Sequence, residues 1–444
     1  DGKPYDVDSL SLAGTAVGAF NDKDVPDATS VAFSGLSLTG TGSGNYSLSN
    51  HADASHTISV KPVTVSGLTS SDKTYDGTTN ATVGGTASLQ SAISAGTGSA
   101  SDGKPYDVDS LSLAGTAVGA FNDKDVSDAT KVVFSGLSLT GTGEENYSFT
   151  NHPDASHSVN TKEVSLSGSK TYDGGVDLMG AVSLLTGVGS ETLSYSGASA
   201  SAKDVTVSNK YIDAITLLDA TDGSGGLASN YHLPVLDSSK APVTISQKTV
   251  SLSGSKIYDG GVDLTGAVSL LTGVGSETLS YSGATASAKD VTVSNKYIDA
   301  ITLVDATDGS GGLASNYQLP SLDVLNAAVT INAKTVGLSA SRLYDGGVNL
   351  TGSDVSISTG VGSETLSYSG ATVSAKDVTV SNKYIDAITL ENATDGSGGL
   401  AGNYQLPSLD TVNAPVSIGT KEVSLSGSKT YDGGVNLTGS DVSI

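Results

Sequence analysis

The chain repeats itself, and the length of the repeat limits what it can fold into more than any other property. Tyr-Asp-Gly recurs at Tyr75, Tyr172, Tyr258, Tyr344 and Tyr431, at spacings of 97, 86, 86 and 87 residues. A second marker, Asn-Tyr-x-Leu or Asn-Tyr-x-Phe, recurs at Tyr46, Tyr147, Tyr231, Tyr317 and Tyr404. Solenoid and helical repeats have units of roughly 20 to 45 residues, so a period this long suits one small domain per repeat. The boundaries read as a partial repeat over 1–62, full repeats over 63–162, 163–248, 249–334 and 335–421, and the start of another over 422–444.

Two subtypes are interleaved in this series. The segment opening at Asp1 returns at Asp102 almost unchanged, an offset of 101 residues, and defines the first. GVGSETLSYSGA and SNKYIDAITL recur three times from Gly187 onward and define the second. Its third copy has one extra residue in TGSDVSIS, which predicts a loop or bulge there. The chain opens and closes inside repeats, so the series is expected to continue in both directions.

Within a repeat, short runs of Val, Ile, Thr, Tyr and Leu alternate with small polar residues and are separated by Gly, Asn, Asp and Ser. In one repeat the runs fall at 250–252, 262–264, 278–281, 291–293, 298–303, 317–319 and 329–331. Seven short strands match an immunoglobulin-like sandwich. The fold class is therefore all-β, as tandem immunoglobulin-like β-sandwich domains in an elongated rod. Each last strand (APVTI, AAVTI, APVSI) passes through Lys-Thr-Val or Lys-Glu-Val into the next first strand, without a flexible linker.

Composition narrows the function. With no cysteine there is no disulfide framework and no thiolate metal site. A formal charge of -24 argues against nucleic acid as a partner, since phosphates are bound by clustered Lys and Arg. No apolar run is long enough to span a bilayer. Equivalent side chains in every repeat leave no unique catalytic constellation, so no enzyme is expected.

Lys-x-Tyr-Asp-Gly, the Lys-Asp-Val at Lys124 and Lys203, the Ser-Gly-Leu-Ser-Leu run from Ser135 and Asn-Tyr-Ser before the closing strand together resemble the YDG and MBG repeat domains of very large bacterial exoproteins, including haemagglutinin-like adhesins exported by two-partner secretion. The first subtype is the better fit. In the second, Tyr-Ile-Asp-Ala-Ile-Thr-Leu replaces the Gly-Leu-Ser-Leu strand. The resemblance implies a bacterial cell-surface or secreted location and a stalk or adhesive role, with no catalytic residues. A stalk that spaces a distal binding domain from the cell is the first expectation, its receptor or glycan unidentified. Self-association into an extracellular filament or biofilm-matrix fibre is the alternative. A calcium-dependent surface-layer, ice-binding or glycan-binding module is the third.

The recurring motifs each have a structural and a ligand-binding reading. In Tyr75-Asp76-Gly77, Tyr172-Asp173-Gly174, Tyr258-Asp259-Gly260, Tyr344-Asp345-Gly346 and Tyr431-Asp432-Gly433, ring and carboxylate either face a ligand or form a turn. We read a turn, with Tyr covering the core end, Asp capping N–H groups and Gly at positive φ. The tyrosine of Asn-Tyr reads as a tyrosine corner whose hydroxyl returns to nearby backbone. Asp219 and Asp222 of DATDGSGG, repeated as Asp305 and Asp308 and then as Asn392 and Asp395, form either a solvated turn or the start of a calcium site. Calcium is the one cofactor considered. His51, Asp53 and His56, repeated as His152, Asp154 and His157, have a spacing that supplies zinc ligands, with a plain loop as the other reading.

Overall fold

The computed structural model describes residues 2–49 and 54–444, and among these the only helical elements are three-residue 3-10 turns, so the protein is all-β. Among the described residues no helix is long and apolar enough to cross a membrane. The chain divides into two compact units, Asp1–Gly168 with Asp177–Ala200 and Tyr211–Val243, and Ser169–Val176 with Ser201–Lys210 and Thr244–Ile444.

In the second unit, residues 249–334 show the second subtype whole. Ser251–Ile257 is the centre of a three-stranded sheet, antiparallel to Val268–Leu271 and parallel to Val329–Asn332. Ser280–Ala286 and Ile298–Val304 form a hairpin with a bulge between Ser282 and Thr285, where Gly283 has φ of 63°. Lys248–Thr249 pairs in parallel with Tyr317–Gln318. The next repeat copies this plan, and its sheet and hairpin face a common core: Leu338, Ala340, Val416 and Ile418 from the sheet meet Ala371, Val373, Ile385 and Ile388 from the hairpin. Alternation along each strand sends these residues to one face.

Six strands lie wholly within 249–334, with Lys248–Thr249 and Lys334–Thr335 straddling its ends, and they are not the predicted seven. Residues 262–264 are loop, tied by a single bridge from Asp263 to Thr285, with Leu264 fully buried as a plug. Residues 291–293 are also not a strand. Their carbonyls curl inward around a buried cation: Lys296 Nζ donates to the carbonyls of Asp290, Val291 and Val293 at 3.2, 3.1 and 2.5 Å. Carbonyls gathered on one ammonium cannot also face a neighbouring strand, so the β-branched content of Val-Thr-Val is overridden. Lys383 closes the same turn in the next repeat, donating to Val378 and Val380.

Consecutive repeats are joined without slack. Val329–Asn332 belongs to one sheet, and after single-residue breaks Lys334–Thr335 and Gly337–Leu343 pair within the next repeat. The extra residue of the third copy lies in a 3-10 turn, Gly352–Asp354, closed by a capping box between Thr351 and Asp354.

In the first unit, residues 63–162 are built around a longer hairpin, Ser110–Phe121 with Lys131–Thr142, bulged between Gly115 and Val118. Gly136 of Ser-Gly-Leu-Ser-Leu sits at φ of 82°, and a Cβ there would lie 2.3 Å from the Thr116 carbonyl oxygen. Only glycine lets the two strands approach so closely. Ala155–Ser156 and Asn80–Ala81 extend the hairpin at its two edges.

Candidate functional site

The Tyr-Asp-Gly motif forms the predicted turn in all five copies. Its aspartate accepts the N–H two residues on (Thr78, Gly175, Gly261, Gly347, Gly434), and the following glycine lies at φ between 80° and 88°. The basic residue three positions earlier locks the turn: Lys73, Lys170, Lys256, Arg342 and Lys429 each pair with the motif's aspartate.

The tyrosine does something the local reading missed. It leaves its own repeat and enters the next. Tyr172, 1% exposed, donates its hydroxyl to Glu277 Oε1 at 2.8 Å, and Tyr317 donates to the other oxygen of the same carboxylate at 2.7 Å. The two rings meet edge to face, 5.4 Å apart at 77°. Lys203 lies over the Tyr172 ring at 5.4 Å and pairs with Asp204. Asn316, fully buried, completes the contact by donating to Asp204 at 2.8 Å and accepting the Val205 N–H at 2.8 Å. A Cβ on Gly174 would lie 2.8 Å from Val274, so the turn's glycine is needed for fit as well as for φ.

The same junction is built twice more with the same atoms. Tyr75 and Tyr231 share Glu191 at 2.8 and 2.6 Å, with Lys124 over the Tyr75 ring and Asn230 holding Asp125. Tyr258 and Tyr404 share Glu364 at 2.8 and 2.6 Å, with Lys289 over the Tyr258 ring and Asn403 holding Asp290. One carboxylate with two phenolic donors, an edge-to-face pair and a partly exposed cation over a ring form a polar cluster in which charge-assisted bonds count for most. Burial is the largest cause that pushes all six phenols above their ordinary pKa, and each glutamate adds to it.

This corrects two expectations. The Tyr-Asp-Gly tyrosine caps a neighbour rather than the end of its own core. The Asn-Tyr hydroxyl does not return to nearby backbone: in the second subtype it binds glutamate, and in the first Tyr147 donates to Asp109 and accepts the N–H of Tyr106, 41 residues upstream. Tyr344 is half-buried and Tyr431 is 93% exposed.

The calcium candidates act as caps. Asp219 and Asp305 accept the N–H of Ala228 and Ala314, and Asn392 does the same for Ala401 with an amide oxygen, so this position does not require a charge. Asp222, Asp308 and Asp395 accept from Thr192, Thr278 and Thr365 and from the Ser224, Ser310 and Ser397 N–H groups, bonds that hold their carboxyls down at about 2. The histidine set is not brought together: His152 packs on Phe134, Asp154 pairs with Lys131, and His157 meets Asp72. His51 and Asp53 lie outside the described residues, leaving His56 exposed. Among the described residues no three His, Asp or Glu side chains converge on a metal position.

Residues 59–157 match the YDG domain family. No curated protein and no solved structure matches the chain. The matched span holds the first-subtype repeat with its Lys-x-Tyr-Asp-Gly, Lys-Asp-Val and Asn-Tyr, which are the residues that build the junctions.

Proposed function

We propose that this chain, with a YDG domain at residues 59–157, is a spacer: a mechanically coupled series of β-repeats that carries a distal binding domain away from a bacterial cell surface. The observation that carries this reading is the junction, repeated three times with the same residues. Its polar atoms are spent on each other rather than turned to solvent, as expected of a coupling device and not of a ligand site. Direct strand-to-strand continuity from one repeat to the next supports it as well, because a few extended residues shared by two sheets restrict a hinge far more than a Gly/Ser linker does. A net charge of -24 fits a surface that stays soluble and repels its own kind along its length.

Single-molecule stretching tests the proposal. Repeats of 86 residues should give a regular series of rupture events, each releasing roughly 280–310 Å of contour at about 3.3–3.6 Å per residue. A chain that extends smoothly at low force, without discrete events, carries no load.

A further inference from the structure

The route by which tension crosses a repeat is set by its first and last strands. In residues 249–334 the chain enters on Ser251–Ile257 and leaves on Val329–Asn332, and these strands are neighbours that run in parallel, Gly254 opposite Val329 through to Ile257 opposite Asn332. The ladder is bounded by the Gly254 N–H on the Ala328 carbonyl at 2.9 Å and the Tyr258 N–H on the Asn332 carbonyl at 2.8 Å. A pull on the chain draws the first strand back by its leading end and the last strand forward by its trailing end. In a parallel pair those two ends lie at opposite ends of the ladder, so the strands part only by sliding, with every rung loaded at once. An antiparallel pair would be gripped at one end and peel rung by rung.

The next repeat is built alike, with Ala340 to Leu343 in parallel with Val416 to Gly419. In residues 63–162 the strands differ but their direction does not: Tyr147–Thr150 runs parallel to residues 61–64, and Val159–Asn160 parallel to Lys73–Thr74. The ladder also ends where a junction begins. Tyr258, whose N–H closes it, places its hydroxyl on Glu364 of the following repeat at 2.8 Å. Sliding Val329–Asn332 forward carries the following repeat with it through the short run to Lys334–Thr335, and so draws Glu364 away from Tyr258. Two sets of bonds resist one displacement.

We propose that the parallel pair of first and last strands is the force-bearing clamp of each repeat, and that the Tyr-Asp-Gly tyrosine at its end ties it to the following repeat so that the two yield together. The clamp rests on the reading of the chain as a load-carrying spacer and names the bonds that carry the load.

Because the chain has no cysteine, introduced thiols are the sole attachment points for optical-tweezer handles. In the whole chain, handles at Ser251→Cys and Asn332→Cys pull the clamp in shear, whereas handles at Ser251→Cys and Leu325→Cys grip both strands from one end and peel it. All three positions are exposed, so the fold is kept. At one constant force the repeat should last at least about tenfold longer in shear than in peeling, because several hydrogen bonds must break in a single step. Tyr258→Phe, which keeps the ring and loses the hydroxyl, should shorten the lifetime in shear roughly tenfold, the worth of one hydrogen bond to a carboxylate, and leave peeling as it was. Equal lifetimes in the two directions overturn the clamp. A Tyr258→Phe chain as durable in shear as the wild type overturns its tie to the following repeat. Neither result abolishes discrete events in end-to-end stretching, so the clamp can fail while the spacer reading stands.

Discussion

Glu277 is the residue on which two repeats agree. Its carboxylate is the shared acceptor for a tyrosine of each, so its loss strands two hydroxyls in a desolvated contact, and an unmade buried hydrogen bond costs about 1–3 kcal/mol. Glu277→Ala should therefore lower the protection of the Val205 amide, which donates to Asn316 in the same junction, by roughly 100-fold in hydrogen exchange, about 3 kcal/mol. Glu277→Gln, which keeps one acceptor, should cost less than half of that. Unchanged protection in the alanine variant would mean that the junction is held by its rings alone. The tyrosines give a second residue-scale test. All six junction phenols have folded pKa values above their unfolded value of about 10, so the folded chain keeps protons that the unfolded chain releases. The stabilisation is complete below pH ~10 and is lost as pH rises through the folded values. Ultraviolet titration should show six phenols ionising late and together with loss of structure.

At the scale of the element, the Gly-rich loops after the hairpins show how a charged motif can be structural. Asp308 caps the Ser310 N–H and accepts the Thr278 hydroxyl, fastening the loop to the start of Ser280–Ala286, and those bonds hold its carboxyl at about 2. A depressed carboxyl stabilises the fold above pH ~4, and that contribution goes as pH falls toward 2. We expect the three loops at Asp222, Asp308 and Asp395 to open in acid before the cores do, seen as early loss of amide protection at Ser224, Ser310 and Ser397. Asp308→Asn should remove the pH dependence at Ser310 and leave the other two loops as they were. The turn around Lys296 carries a complementary lesson: Val-Thr-Val there has strand propensity, but a buried ammonium needs acceptors, and three backbone carbonyls satisfy it at the expense of a ladder.

For the molecule as a whole, what could be read in advance was whatever lies within one period. The all-β class follows from β-branched runs broken by glycine, and the Asp and Gly of Tyr-Asp-Gly behave as their chemistry dictates within a few residues of chain. The fate of its tyrosine does not lie within a period. Tyr75 and Glu191 are 116 residues apart, Tyr172 and Glu277 are 105 apart, and no local pattern points from one to the other. One signal was available: Tyr-Asp-Gly, Lys-Asp-Val and Asn-Tyr persist through two subtypes whose intervening strands differ, and residues kept while their surroundings change are those that must fit a partner. The junction between 63–162 and 163–248 joins unlike subtypes with the same atoms as the junctions between like ones.

That interchangeability bears on how such a chain can lengthen. Because each repeat offers one face of the lock at its Tyr-Asp-Gly end and the other at its Asn-Tyr end, any whole number of periods can be duplicated or removed and every surviving boundary still closes, even between dissimilar neighbours. A cut at a fraction of a period leaves one key without a keyhole. Size is thus an open variable for a gene of this kind, and phase is not.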